Sequence, residues 1–237
     1  MDLAAHLQSV RQRIAGACQR SGRDPAAITL LAVSKNQPPE RIRAAAAAGL
    51  SLFGENRVQE AKSKISQCPA SLRWHMIGHL QSNKCRDAIS LFSMIQSVDS
   101  LPLAVELNKW AGHFARTMPV LLEINIAGES SKFGCSPGEL PAVLPQINAL
   151  PRLEIHGLMT VAPYSPDPER IRPVFRRLRE LKGECEKILG APLPHLSMGM
   201  TGDFEVAVEE GATMIRLGSA LFGPRPAARP MADDSPD

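Results

Sequence analysis

The chain has 237 residues, 44% of them hydrophobic and 22% charged, with a formal net charge of +3. That length allows one large barrel or two smaller domains. A charge so mild and dispersed argues against a nucleic-acid surface, and the one locally basic stretch, Arg170 to Arg179, alternates with apolar residues as a solvated helix face does. The five cysteines (Cys18, Cys68, Cys85, Cys135, Cys185) are odd in number and lack a CxxC pair. They support neither a disulfide framework nor a zinc site and fit reduced thiols in the cytoplasm. No apolar run approaches the roughly 20 residues that span a bilayer, and charges recur too early for a signal-peptide core.

Leu3, Leu7, Val10 and Ile14 recur at helical spacing, so the first twenty residues read as an amphipathic helix, closed by Ser21-Gly22-Arg23-Asp24-Pro25. Ile28 to Lys35 follows as a buried strand of β-branched and aliphatic residues, broken by Asn36-Gln37-Pro38-Pro39. Pro39 opens an alanine-rich helix over Glu40 to Ala48. Ser51 to Phe53 is a short strand leading to a helix from Val58 to Ser66. Leu72 to Ile77 is a strand, and Gly78 to Lys84 a loop and helix start. Met94 to Val98 and Pro119 to Ile126 are strands followed by helices over Leu101 to Ala115 and Leu140 to Leu150. After the strand Leu153 to Met159, the positions Ile171, Val174, Leu178, Leu181, Cys185 and Ile188 step by three or four through one helix. His195 to Ser197 and Met214 to Leu217 close the series, with a helix near Phe204 between them.

Eight strands alternating with helices imply a parallel sheet, and that many units in some 200 residues fit a (β/α)8 barrel better than an open sheet. The expectation is one α/β domain over residues 1–223, with an extra N-terminal helix. The proline-rich residues 224–237 have too little apolar content to pack and read as a disordered tail.

In such barrels ligands collect at the carboxyl ends of the strands. Lys35 stands at one of those ends. It is either a lysine that ends a strand and points into water, or an amine whose pKa burial lowers until it is nucleophilic. Ser197-Met198-Gly199-Met200-Thr201-Gly202-Asp203 and Arg216-Leu217-Gly218-Ser219 sit after the last two strands, where barrels often hold phosphate. Helices starting at Thr201 and Ser219 would aim N–H groups at an anion. Arg216 is either a permanent cation in the mouth or the partner of a buried carboxylate. His75, between Trp74 and Met76, is a satisfied core histidine or a base, and Asn56 lies beside it on a polar rim. Met159 and Met198 read as core packing, and Tyr164 as part of a proline-rich turn.

Seven stretches then occur in an order that resembles the pyridoxal-phosphate homeostasis protein family. They are AVSK (Ala32 to Lys35), FGENRVQE (Phe53 to Glu60), WHMIGHLQSNK (Trp74 to Lys84), INIAGESSKFG (Ile124 to Gly134), GLM (Gly157 to Met159), SMGMTGDFEVAVEEG (Ser197 to Gly211) and RLGSALFG (Arg216 to Gly223). The resemblance covers Ile28 to Gly223 and implies a single barrel related to the alanine racemase N-terminal domain. It implies pyridoxal 5′-phosphate as cofactor, carried on Lys35 as a Schiff base. Ser197, Gly199, Thr201, Gly218 and Ser219 would surround the phosphate, with Arg216 near the ring nitrogen, and Asn56, His75 and Met159 would belong to the same site. Three positions depart from the family pattern: His79 for proline, Thr201 for serine and Ser219 for threonine.

Three function classes meet at these residues. A carrier and regulator of vitamin B6 and amino-acid pools needs the cofactor site and no turnover, and PLP-dependent apo-enzymes are its implied partners. An amino-acid racemase needs a base on each face of the substrate. An aldolase using Lys35 alone needs a second lysine or carboxylate that the sequence does not identify. The carrier is favoured, as a cytoplasmic monomer without nucleic-acid or membrane partners.

Overall fold

The computed structural model describes residues 3–129 and 132–223. The tail expected after Gly223 lies outside the described residues. The chain opens with α1 (Leu3–Ser21) and then alternates β1 (Thr29–Val33), α2 (Pro39–Ala47), β2 (Leu52–Glu55), α3 (Val58–Ile65), β3 (Arg73–Met76), α4 (Cys85–Leu91), β4 (Met94–Val98) and α5 (Leu101–His113). It continues with β5 (Met118–Glu123), α6 (Leu140–Asn148), β6 (Leu153–Met159), α7 (Arg172–Leu189), β7 (His195–Ser197), α8 (Phe204–Glu209), β8 (Met214–Leu217) and α9 (Ser219–Phe222). The eight strands are parallel and close in sequence order, β1 pairing with β8 in the register Thr29↔Met214 to Ala32↔Leu217.

Alternation along each strand sorts the side chains. Leu31, Val33, Leu52, Ile77 and Met214 form one apolar cluster within the barrel, and Met94, Leu121 and Met159 a second. The opposite positions pack against the helices in a continuous outer core. Gly157 has no alternative: a Cβ there would stand 1.9 Å from the His195 carbonyl oxygen of the neighbouring strand.

The N-terminal helix latches the last βα units. Leu7, Val10, Ile14, Ala17 and Cys18 are buried on one stripe, while Arg13 and Arg20 pair with Glu205 and Glu209 of α8 at 2.7 and 2.6 Å. His6 Nδ1 meets the Leu221 carbonyl at 2.9 Å.

Two sequence expectations need correction. The buried stripe of α7 runs through Ile171, Phe175, Leu178, Leu181 and Cys185, whereas Ile188 is 45% exposed. Ile188 falls in the last turn before Gly190, and Phe175 completes the stripe that Val174 only borders. The helix after β7 begins at Phe204, where the chain-order reading puts it, so the start at Thr201 expected for the anion site does not form. The Asp203 carboxylate accepts the Met200 N–H at 2.6 Å, and the Met200 carbonyl accepts N–H groups of Asp203 and Phe204. That turn holds Thr201 and Gly202 out of the helix.

Candidate functional site

β1 ends at Val33, and its alternation carries on into the following turn. Val33 and Lys35 face a cavity of ≈ 450 Å³ at the carboxyl end of the barrel, while Ser34 turns outward and is fully buried. The same cavity is lined by Thr201 and Gly202 after β7 and by Arg216, Gly218 and Ser219 of β8 and its loop. Five of the residues singled out in the sequence thus meet: Lys35, Thr201, Arg216, Gly218 and Ser219.

The loops after β7 and β8 are tied by their hydroxyls. Ser219 Oγ donates to Thr201 Oγ1 at 3.2 Å, and Thr201 Oγ1 also accepts the Ala220 N–H at 3.2 Å. Among the described residues the main-chain N–H groups of Thr201, Gly202 and Gly218 have no acceptor. Helices α8 and α9 have six and four residues, too short for the macrodipole expected of helix N-termini here. Spare N–H groups and hydroxyls, rather than helix ends, are what this arrangement offers an anion.

Below the cavity a line of hydrogen bonds crosses the barrel. Arg216, 4% exposed, donates from Nη2 to the Thr160 carbonyl and from Nη1 to Ser197 Oγ, each at 2.7 Å. Ser197 Oγ donates to Gln96 Oε1 at 2.6 Å, and Gln96 Nε2 donates to His75 Nδ1 at 2.9 Å. Guanidinium has only donors, which fixes the direction of every bond after it. His75 Nδ1 is therefore an acceptor on a neutral ring whose proton sits on Nε2.

The charges agree with this order. Burial, reinforced by Arg73 and His195, lowers the His75 pKa to about 3, so it is no base at neutral pH. Burial lowers Arg216 to about 10 against the pull of Glu123 and Asp203, leaving it a cation. Burial raises Glu123 on β5 to about 7, with Arg216 opposing the rise and Asp99 adding to it. Arg216 is thus a cation bordering the cavity that feels the buried Glu123 carboxyl through space, while its guanidinium hydrogen bonds go to Thr160 and Ser197 rather than to a carboxylate.

The remaining residues stand apart from the cavity. Ser197 lies one bond beneath it through Arg216. Gly199 shapes the turn: its φ is +94°, its carbonyl accepts the Arg216 N–H at 3.0 Å, and a Cβ would meet Ala207 Cβ at 2.6 Å. Asn56 lines a neighbouring cavity of ≈ 340 Å³ with His79 and Lys84, its Oδ1 buried without a partner. His79 stacks on Phe133, ring centroids 3.6 Å apart, and meets Asp99 at 3.2 Å. Met159 is fully buried beside Met94 and Leu121. Gln96, Glu123 and Thr160 escaped the sequence reading, and Tyr164 was read only as part of a turn. The alternation of β4 and β5 turns Gln96 and Glu123 inward and was the one signal available for them. Tyr164, 93% exposed, reaches the cavity lip from a loop without periodicity.

Residues 5–226 match the family described as the alanine racemase N-terminal domain. A pyridoxal phosphate homeostasis protein of Aquifex aeolicus is 44% identical over 226 residues, 95% of this chain and 99% of the relative. One of Escherichia coli is 40% identical over 231 residues, covering 94% and 97%. The structure of PipY of Synechococcus elongatus with PLP bound superposes with a TM-score of 0.82 at 39% identity, over 94% of this chain and 100% of that one. An alanine racemase of Clostridium difficile shares the fold at a TM-score of 0.71 and 15% identity, over 95% of this chain and 57% of its own.

Proposed function

This chain belongs to the family of the alanine racemase N-terminal domain, in the branch of the pyridoxal phosphate homeostasis proteins, and we propose that it binds pyridoxal 5′-phosphate in the Lys35 cavity as a carrier. The observation behind this reading is the convergence of a primary amine, a permanent cation, two linked hydroxyls and three spare N–H groups on one cavity. That donor set fits an aldehyde, a ring nitrogen and a phosphate. When bound, the cofactor supplies an aldehyde that condenses with an amine and an aromatic ring that can take up electrons.

Lys35 is the amine in this reading, held on the rim by the turn after β1. Thr201 and Ser219 offer hydroxyls to the phosphate, while Gly202 and Gly218 add main-chain N–H groups. Arg216 faces the ring nitrogen and, having only donors, holds it unprotonated, which weakens the ring as an electron sink. Ser197, Gln96 and His75 fix the Arg216 guanidinium, and Gly199 the loop that carries Thr201. Asn56 and Met159 support the walls of the mouth. With the electron sink weakened, the site suits holding better than turnover. The same reading includes service to vitamin B6 and amino-acid pools, delivery to PLP-dependent apo-enzymes, a cytoplasmic location and a monomeric state.

The test combines a spectrum with proton exchange. Saturated with pyridoxal phosphate, the protein is expected to show a visible absorption band that Lys35→Ala loses. In heavy water the α-proton of added alanine should exchange little above the rate with free cofactor. Rapid exchange into both enantiomers, abolished by Lys35→Ala, would make the protein a racemase instead.

A further inference from the structure

Lys35 is flanked by two residues whose backbone is held from outside the barrel. Lys64, on α3, is a lysine only 6% exposed. Its Nζ donates to the Ser34 carbonyl at 2.8 Å, to Glu55 Oε1 at 3.1 Å and to Glu60 Oε1 at 2.5 Å. All three ammonium hydrogens are thereby engaged. Glu60 Oε1 also accepts the main-chain N–H of Asn36 at 2.5 Å. Ser34 closes the cluster, its Oγ donating to the fully buried Glu55 at 2.7 Å. The residue before Lys35 and the residue after it are thus both tied to one ion cluster on the far side of the strand.

Asn36 is in the left-handed region, with φ +61°. A non-glycine residue there carries a cost that its surroundings must over-determine, and the bond from Asn36 to Glu60 does so. Stability alone is a poor reason for the cluster. Burying ions costs several kcal/mol of desolvation, on the order of what their attraction returns, and apolar side chains of equal volume often serve as well. One Glu55 oxygen is even left buried without a partner. What apolar side chains could not do is grip a carbonyl on one side of Lys35 and an N–H on the other.

We infer that Lys64 and Glu60, braced by Glu55, are the positioning residues that aim Lys35 at its carbonyl ligand. This rests on the reading of Lys35 as the amine that takes the aldehyde. Lys64 lies close by, yet its nitrogen is committed to three acceptors.

Glu60→Ala removes the acceptor from the Asn36 N–H and leaves Lys64 the Ser34 carbonyl and Glu55 as acceptors, and a thermal melt of each variant separates loss of fold from loss of aim. Glu60→Gln keeps an acceptor oxygen without the charge. Each is titrated with pyridoxal 5′-phosphate and with 4′-deoxypyridoxine 5′-phosphate, which has the ring and phosphate without the aldehyde. Glu60→Ala should weaken the aldehyde ligand about tenfold, as loss of one charge-assisted hydrogen bond implies. The aldehyde-free analogue should change by less than about twofold, with Glu60→Gln between the unaltered protein and Glu60→Ala. Equal weakening of both ligands, or of neither, would overturn the inference. Lys35→Ala in the same assay tests the underlying reading separately. If it binds the aldehyde ligand as tightly as the unaltered protein does, the Lys35 assignment fails whatever Glu60 shows.

Discussion

The hydrogen bonds from Arg216 to His75 run one way because a guanidinium donates and never accepts. That order fixes the tautomer of His75, while burial keeps the ring neutral, and its neutrality has a consequence for stability. The folded pKa of about 3 lies below the ordinary 6.5, so below pH 6.5 the unfolded chain binds a proton that the folded chain refuses. Stability from this residue is full above 6.5 and falls as pH drops toward 3. Glu123, raised to about 7, works in the opposite sense, its contribution being lost as pH rises through 7. In His75→Asn the new side-chain oxygen can accept the Gln96 amide without a titrating ring. Relative to the unaltered protein, this variant should gain about 2 kcal/mol between pH 7.5 and pH 5, the value for some 1.5 units of unmet protonation. Urea midpoints at the two pH values measure this, and an unchanged difference would show that His75 is not the buried neutral acceptor described. At this scale the sequence revealed the residues at strand ends, Lys35 and Arg216 among them, because alternation and position both mark them. Gln96 and Glu123 were hidden within apolar strands, since their partners lie on other strands and, for Ser197 and Gln96, 101 residues apart.

Strands were legible as elements because continuous apolar runs between turn residues have few other uses in an α/β chain. β4, β6, β7 and β8 occupy the residues the pattern indicates. Helix starts were less legible, since side-chain turns compete for the same first residues. Phe204 was legible as the start of α8 and Thr201 was not excluded from it, because the Asp203 turn that holds Thr201 out rests on a side chain; the proposed phosphate contacts then fall to hydroxyls and main-chain N–H groups. Gly199 is the hinge of that loop. Gly199→Ala would require a positive φ of an alanine and set its Cβ 2.9 Å from Phe204 Cα. The expected result is a loss of about 1–3 kcal/mol of stability together with weaker binding of pyridoxal phosphate, as Thr201 and Gly202 shift. Thermal melting and ligand titration read the two effects. Normal affinity in a destabilised variant would detach the loop after β7 from the phosphate.

Closure of β1 on β8 is what makes the whole molecule a site. It brings Lys35, at one end of the chain, beside Arg216 and Ser219 at the other, and α1 then bolts the last units in place through Arg13, Arg20 and His6. Counting βα units in the sequence anticipated this closure, but the wiring of the ion cluster behind Lys35 was not legible there, since Lys64 reads as one more polar residue on an exposed helix. The proposed function requires Lys35 to be the nitrogen that takes the aldehyde. Borohydride reduction of the protein saturated with pyridoxal phosphate, followed by peptide mass mapping, addresses it directly. The predicted result is a single reduced adduct on Lys35, with Lys64 unmodified. An adduct on Lys64, Lys84 or Lys132, with Lys35 bare, would contradict it.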